Sequence, residues 1–513
     1  MKEITPLLVD YSLDIFAPST KQRFNDEEPV QIQEKEPEKE KEKKKRRTVQ
    51  DEMRIMTEDP IDFYCNNYDT IIKDIKNNFI DVFGDKLNDP AMRNQIMYDG
   101  QNIINSTFEL HKVIPSQRNY KEYINTIYND LFGLGMLQPL LDDDSVTEIM
   151  VVQHDKIFIE KNGTPQYSKY RFPNYENALG VVTKIIEPLN KKLTFSSPNV
   201  DAQLPDGSRL SASIPPMKAD NDISITIRKF PKYVERLEFY SKKYKNQDML
   251  MVEFMERCVE VKANIIVSGG TGSGKTTLLN GLSFSIPARD RILTCEDTKE
   301  LKLQQEHVES YLTVDANVEG TGGVTMQDII KAALRKRPDR IIVGECRGGE
   351  IVEMFNAMST GHDGSLSTIH ANNPEEMVSR ATTMYLSNPQ TSNLSQSAIL
   401  MTMGAAINLI IQAQRLDDGS RRITEISEVT GYGEKGRKKL EERGIVITDP
   451  NNDRLFMTPI FKFVQTSKDE DDKIHGYFKS CGYKPYLLDK MHMNSITLSD
   501  ESIFEKETIL LEV

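Results

Sequence analysis

The chain has 513 residues, 38% hydrophobic and 28% charged, with a formal net charge of −13 and a mean hydropathy of −0.49. Such a length calls for two or three cores rather than one, the hydropathy speaks for a water-soluble protein, and the acidic balance argues against a chain whose main task is gripping a phosphate backbone. Five cysteines (Cys65, Cys258, Cys295, Cys346 and Cys481) are scattered with no C-x-x-C pair, which predicts neither a disulfide framework nor a thiolate zinc site and fits reduced thiols in the cytoplasm.

The first residues, MKEITPLLVDYSLDIF, have no apolar run followed by a small-residue cleavage site, so no secretory signal is expected. Residues 31–47, QIQEKEPEKEKEKKKRR, are almost without apolar side chains. They cannot bury enough surface to offset chain entropy, and residues 1–50 are expected to form a disordered charged tail. Its basic end could touch anionic lipid or a partner; a solvated tether is the simpler alternative.

A helical amino-terminal region is expected over 51–135, where Ile61, Tyr64, Tyr68, Ile71, Ile72 and Ile75 recur at three- and four-residue spacings. From 136 to 231 the texture changes to short strands and turns. KIFIEKNGTPQ alternates polar and apolar residues into a turn at Asn162–Gly163, and DAQLPDGSRLSASIPP and DISITIRKF read as further strands of an α+β domain. A linker is expected at 232–245.

Residues 246–430 alternate helices with buried strands: the helix DMLMVEFMERCVEV, strand NIIVSG, helix GKTTLLNGLSFSI, strand RILTCED, a helix near 325–336, and strand RIIVGE. That order implies βαβ units around a mainly parallel sheet, an α/β fold. The most apolar run, Ala398–Ala413, is interrupted by Thr402, Gly404 and Asn408 and is too short for a membrane span, so membrane association is expected only through partners. The last stretch, 431–513, is a mixed extension with a hairpin expected at RLFMTPIFKFVQ.

GGTGSGKTT, Gly269, Gly270, Thr271, Gly272, Ser273, Gly274, Lys275, Thr276 and Thr277, matches G-x-x-x-x-G-K-[ST] between an apolar strand and an amphipathic helix. Glycines let backbone amides turn toward phosphate oxygens, and the helix N-terminus adds partial positive charge. Lys275 would reach the β- and γ-phosphates of ATP, and the Thr276 hydroxyl would ligate Mg²⁺. RPDRIIVGE ends a buried strand at Glu345, where a carboxylate would meet Mg²⁺, partly through water. RILTCEDTKEL ends another at Glu296–Asp297. Glu296 is the candidate for orienting or deprotonating the attacking water; the alternative is a solvated loop acid.

In this order the phosphate loop, CEDTKEL, RPDRIIVGECRGGE and GHDGSLSTIHAN resemble the four signature boxes of the type II/type IV secretion ATPase superfamily. The details are most similar to the tight-adherence (Tad) pilus assembly ATPases of CpaF/TadA type, and GLGMLQPLLDDDSVTEIMVVQHDKIFIEKNG with LPDGSRLSASIPP and ISITIRKF resembles their amino-terminal domain. The resemblance covers roughly residues 120–480. It implies a RecA-like P-loop NTPase motor domain behind a smaller α+β domain. It also implies a cytoplasmic hexamer that hydrolyses ATP for pilus assembly or secretion, docked at the inner face of the membrane on a polytopic platform protein, with pilins as indirect cargo. Arg209 and Arg228 match the arginines that approach the phosphates from the amino-terminal domain, an arrangement worth ~10³–10⁵ in rate where measured. By themselves they could equally be surface ion-pair residues. Arg335, Arg337, Arg347 and Glu350 would support the boxes or a subunit interface. The paired-cysteine zinc module of some branches has no counterpart here, so no zinc is expected.

A nucleic-acid motor is the second reading, opposed by the acidic balance and the lack of an aromatic–basic groove, and no stable nucleic acid binding is expected. A nucleotide-dependent scaffold without turnover is the third, opposed by the presence of both Glu296 and Glu345. His362 and His370 lack a third ligand at a usual metal spacing. Ordinary packing or turn formation is the alternative for both; the resemblance makes His370 the sensor of the γ-phosphate, Asn373 before PEEMVSRA reads as a helix cap that fixes where this histidine points, and His362 is left a loop residue.

Overall fold

The computed structural model describes residues 54–56, 58–161, 163–230, 233–316 and 321–513; the expected charged tail and Asn162 of the expected turn lie outside the described residues. A short strand β1 (Arg54–Met56) pairs in parallel with β2 (Val113–Pro115). Around them stand α1 (Pro60–Asn66), α2 (Lys73–Phe83), α3 (Arg93–Leu110), α4 (Tyr120–Phe132) and the short α5 (Gln138–Asp142). Pro60 at the first position and Asp59, whose side chain accepts from the Ile61 amide at 2.9 Å, open α1. The three- and four-residue spacing buries Ile61, Tyr64, Ile71, Ile72 and Ile75. The run is not one α-helix, however: Tyr68–Ile72 is a π-helical turn between α1 and α2.

A six-stranded antiparallel sheet follows, from β3 (Val146–Gln153), β4 (Lys156–Lys161), β5 (Thr164–Tyr167), β6 (Asn199–Gln203), β7 (Arg209–Ser213) and β8 (Ser224–Arg228), in the order β5-β4-β3-β8-β7-β6. With α6 (Tyr175–Ile186) it shares one core with the preceding helices: Phe63, Phe79, Phe108 and Leu140 pack in the same cluster as Ile149, Val181, Leu210 and Ile227.

The stretch between sheets is not bare linker. It carries α7 (Leu237–Tyr244), and α8 (Met249–Glu260) leads into a ten-stranded sheet. Five strands, β9 (Ile265–Gly269), β10 (Ile292–Glu296), β11 (Val308–Leu312), β12 (Arg340–Cys346) and β13 (Leu366–Ile369), are parallel, as is β14 (Leu409–Arg415) beside β9. Then β15 (Arg421–Tyr432), β16 (Leu455–Lys468), β17 (Ile474–Cys481) and β18 (Glu507–Glu512) extend it antiparallel, giving β11-β10-β12-β13-β9-β14-β15-β16-β17-β18. The helices α9 (Lys275–Ser283), α10 (Met326–Leu334), α11 (Ile351–Ser359), α12 (Pro374–Ser387), α13 (Gln396–Ala406), α14 (Gly433–Glu442) and α15 (Tyr486–Met493) complete the layers. This is the α/β architecture, parallel through β14, that the alternation of elements predicts.

Side chains alternating along the strands divide the sheet between two cores. Ile265 and Val267 of β9 join Phe254, Leu279 and Leu488, whereas Ile266 between them joins Ile330, Phe355, Met377 and Met403. Polar anchors fix where the strands begin. Arg340 is fully buried, its Nε donating to Asp290 at 2.8 Å and one Nη to the Val259 carbonyl at 2.8 Å. Asn264 donates to the Met358 and Ala406 carbonyls and accepts from Gly364 and Ser365.

The stretch Arg454–Gln465, expected as a hairpin, lies almost wholly within the single strand β16; the hairpin is the one that β16 makes with β17. Strand β15 runs through residue 430, and Phe456, Phe461, Phe478 and Phe504 sit in the core that holds Ile265. Residues beyond 430 thus continue the sheet and its core. No helix among the described residues is long and apolar enough to cross a membrane.

Candidate active site

Strand β9 delivers the chain to the phosphate loop fully buried, and α9 begins at Lys275 behind Gly274. Gly272 and Gly274 have φ of 70° and 93°, the left-handed region that a side chain resists. A Cβ on Gly269 would stand 2.4 Å from the Ala413 carbonyl oxygen and 2.4 Å from Ser273 Oγ, so the loop can leave the sheet here only as glycine. Ser273 Oγ donates to the Gly270 carbonyl at 2.9 Å, which tightens the turn. Lys275 Nζ donates to the carbonyls of Gly269 and Gly270 at 2.9 and 3.1 Å. Burial lowers its pKa, with Arg228 and Arg347 adding to that shift and the nearby Glu345 opposing it. A strand, a glycine turn, a helix N-terminus and a lysine folded over the loop are the parts that a polyphosphate needs.

Glu296 ends β10 inside the protein, only 2% exposed. Its Oε1 accepts from the backbone amides of Glu300 and Leu301 at 2.9 and 2.8 Å, and burial pushes its pKa up to about 7. This carboxylate therefore holds the following loop. The acid that the loop presents is Glu300, which the sequence reading passed over. Its amide is held by Glu296, its carbonyl accepts from Asn280 Nδ2 on α9 at 3.3 Å, and the next residue but one, Lys302, donates its amide to Asn280 Oδ1 at 2.8 Å. Burial raises the pKa of the Glu300 carboxyl, while Arg228, the Thr276 side chain and Arg209 favour its charge against Glu345. Its signal in the sequence was a third acid within five residues of CEDTKEL, four after Glu296.

Glu345 stands on β12, next to β10, where the register with β13 shifts between Val343 and Cys346. Such irregularities re-aim side chains at strand ends. Arg347 grips Glu345 Oε2 through Nε at 2.8 Å and a terminal nitrogen at 2.6 Å, and reaches Asp297 at 3.5 Å. Glu350 closes the turn behind it, accepting from the amides of Arg347 and Gly348 at 2.5 and 2.8 Å.

Arg209 and Arg228 face each other in the antiparallel register of β7 and β8. Like charges so placed repel, and both act on Glu300 across the approach to the phosphate loop. His370 follows β13, which lies between β12 and β9. Its pKa is lowered by burial and by Lys275 and Arg380, against the pull of Glu345 and Glu376. Asn373 caps α12, accepting from the Glu376 amide at 2.8 Å, and Thr368 Oγ1 ties β13 to the Gly344 carbonyl at 2.9 Å. His362 precedes β13 and His370 follows it, so the two histidines stand at opposite ends of one strand. The structure thus gathers Lys275, Thr276, Glu300, Glu345, His370 and Arg228 around one loop, with Glu296 holding the segment that carries Glu300. Among the described residues no group of three or more His, Cys, Asp or Glu side chains could hold a metal ion. An Mg²⁺ ion would depend on one or two carboxylates together with phosphate and water, its usual manner.

The family model described as Type II/IV secretion system protein matches residues 130–453. The chain is similar to a putative conjugal transfer protein of Mycobacterium tuberculosis, 30% identical over 310 residues, covering 59% of this chain and 86% of that protein. The type IV secretion system protein VirB11 of Brucella suis is 32% identical over 325 residues, covering 58% of this chain and 89% of that protein. The crystal structure of the Brucella suis VirB11 ATPase in complex with sulphate is 28% identical, covers 60% of this chain and 96% of its own, and aligns with a TM-score of 0.32.

Proposed function

The chain belongs to the type II/IV secretion system ATPase family, and from that premise we propose that it is a cytoplasmic hexameric motor whose ATP hydrolysis drives assembly of a Tad-like type IV pilus or secretion through the inner membrane. The observation that carries this reading is the meeting of two units at one phosphate loop. Arg209 and Arg228 of the six-stranded sheet favour the charged form of Glu300, as does the Thr276 side chain of the loop. Hydrolysis that needs both units is hydrolysis that can move one against the other.

The residues divide the work. Gly269–Thr277 cradle the phosphates, and Lys275 exchanges the Gly269 and Gly270 carbonyls for phosphate oxygens. Thr276 and Glu300 would hold Mg²⁺ with its waters, with Glu345 close by, and the ion would supply neutralisation of the phosphate charge. Glu345, fixed by Arg347 and adjoining Lys275 and His370, orients the attacking water. The sequence expectation puts Glu345 on the metal and Glu296 on the water; in this reading Glu300 takes the metal, Glu345 the water, and Glu296 holds the loop that carries Glu300. His370 lies on the γ-phosphate side and reports whether that group is present. Arg209 and Arg228 stabilise charge in the transition state. A polytopic inner-membrane platform protein is the docking partner and pilins are the indirect cargo.

The test is ATP turnover by the purified chain with Mg²⁺, beside Lys275→Ala. Wild-type hydrolysis that the variant abolishes is expected, with a hexamer on gel filtration in nucleotide. Undiminished hydrolysis by Lys275→Ala would remove the loop from the chemistry.

A further inference from the structure

A second pair of arginines stands beside the phosphate loop. Arg415 ends β14 and Arg421 begins β15, directly opposite each other across a hairpin. Two guanidinium groups so placed repel, and burial together with Arg415 lowers the pKa of Arg421. Each arginine takes its own acceptor. Arg421 Nε donates to the carbonyl of Gly272 at 2.8 Å, within the phosphate loop. Arg415 donates to the carbonyl of Gly163 in the β4–β5 turn and pairs with Glu160 of β4 at 3.6 Å. The approach is close at both ends. A Cβ on Gly163 would lie 3.3 Å from an Arg415 nitrogen, and one on Gly272 would lie 3.5 Å from another. The hairpin is itself braced: Asp418 accepts from the Ser420 amide at 2.9 Å and from the Ile474 amide of β17 at 3.0 Å.

We propose that Arg415 and Arg421 are positioning residues, through which one rigid hairpin links the β4–β5 turn of the amino-terminal sheet to the phosphate-loop backbone at Gly272. A shift of the amino-terminal sheet pulls Glu160 and Gly163 against Arg415, and the hairpin passes that displacement to Gly272 through Arg421. Nucleotide that reshapes the loop is felt in reverse at the β4–β5 turn, since coupling between two sites is reciprocal. The activity readout, though not the geometry, rests on the ATPase reading above.

The experiment uses the full chain with Glu160→Gln, Arg415→Gln and the double variant. Both substitutions preserve side-chain length, and unchanged melting temperatures establish that the variants fold. Each single variant is expected to lower kcat by about 2–30-fold, the span of coupling changes of 0.5–2 kcal/mol, with KM within about twofold. The double variant is expected to be no worse than Arg415→Gln alone, because both remove one link. Wild-type kcat in Glu160→Gln, or losses that multiply, overturns the proposal. A readout independent of turnover accompanies it: hydrogen exchange at residues 159–167 should change when a non-hydrolysable ATP analogue binds the wild type and not Arg415→Gln. Equal responses in the two proteins overturn the link even if the chain hydrolyses ATP normally, whereas a wild type without turnover counts against the ATPase reading and leaves this exchange result to decide the coupling.

Discussion

Burial pushes the Glu296 carboxyl up to about 7 although its Oε1 accepts two backbone amides, because those bonds do not replace the water that the charge has lost. The unfolded chain ionises this residue near the ordinary 4.5, the folded chain only near 7. Between those values the folded protein keeps a proton that the unfolded one has released. The stability from this group is therefore full below pH 4.5 and is lost as pH rises through 7. Glu296→Gln keeps an acceptor oxygen for both amides and has no charge to bury. Urea unfolding without nucleotide should find it more stable than wild type at pH 8 by on the order of 1–3 kcal/mol, with the gap closing toward pH 5. A gap independent of pH would show that the carboxyl does not titrate in this window. Glu300→Gln should act elsewhere, raising the Mg²⁺ concentration for half-maximal turnover by about 10–100-fold, while Glu296→Gln leaves that requirement unchanged. Equal Mg²⁺ profiles for wild type and Glu300→Gln would take Glu300 off the metal. The loop residues Gly269–Thr277 were legible because their spacing is covalent. Glu300 was not, because its place depends on two hydrogen bonds, one from its amide to Glu296 and one to its carbonyl from Asn280, that only the folded loop creates.

Elements were readable where one physical rule dominated. Ile265–Val267 and Ile341–Val343 are buried aliphatic runs between turn signals, and both are central parallel strands. Val308–Leu312 escaped notice because an edge strand half open to solvent, VESYL, has no continuous apolar run. The expected hairpin at Arg454–Gln465 failed for a related reason. Pro459 suggests a break, but it pairs with Ser427 where the β15–β16 register shifts, and the irregularity spares the strand a missing donor. The Arg415–Arg421 pair could not be read either, since cross-strand neighbours depend on register. At this scale the start of β12 is the most exposed to mutation. Arg340 and Asp290 are both buried, at 0% and 3% exposure, with 2.8 Å between Nε and Oδ2. Asp290→Ala strands a buried guanidinium and should cost about 3–5 kcal/mol, read as a fall in denaturant midpoint with an unchanged slope. A loss below about 1 kcal/mol would mean that water reaches Arg340 and that the pair does not set the strand.

Across the whole molecule, the sequence texture changes near residue 136, yet no physical seam lies there. Phe63, Phe79 and Phe108 from the helices share a cluster with Ile149, Leu210 and Ile227 from the sheet. Polar contacts cross the same point: the Asp130 carboxylate, almost fully buried, is held by Lys76 at 2.9 Å and Asn177 at 3.3 Å, and its carbonyl accepts from Lys184 at 2.6 Å. Cutting the chain at 136 would leave Lys184 without that acceptor and open the apolar cluster to water, and a net stability of typically about 5–15 kcal/mol leaves little to absorb both. A fragment of residues 54–236 should therefore unfold in urea in one transition by far-ultraviolet circular dichroism, and a fragment of residues 136–236 should show none. Cooperative unfolding of the shorter fragment would place a domain boundary at 136 after all. The outcome bears on the motor, because Arg209 and Arg228 act from this sheet on Glu300 beside the phosphate loop. If helices and sheet are one body, a displacement at the outer helices moves both arginines with it, and force can pass between them and the site of hydrolysis without a joint to absorb it.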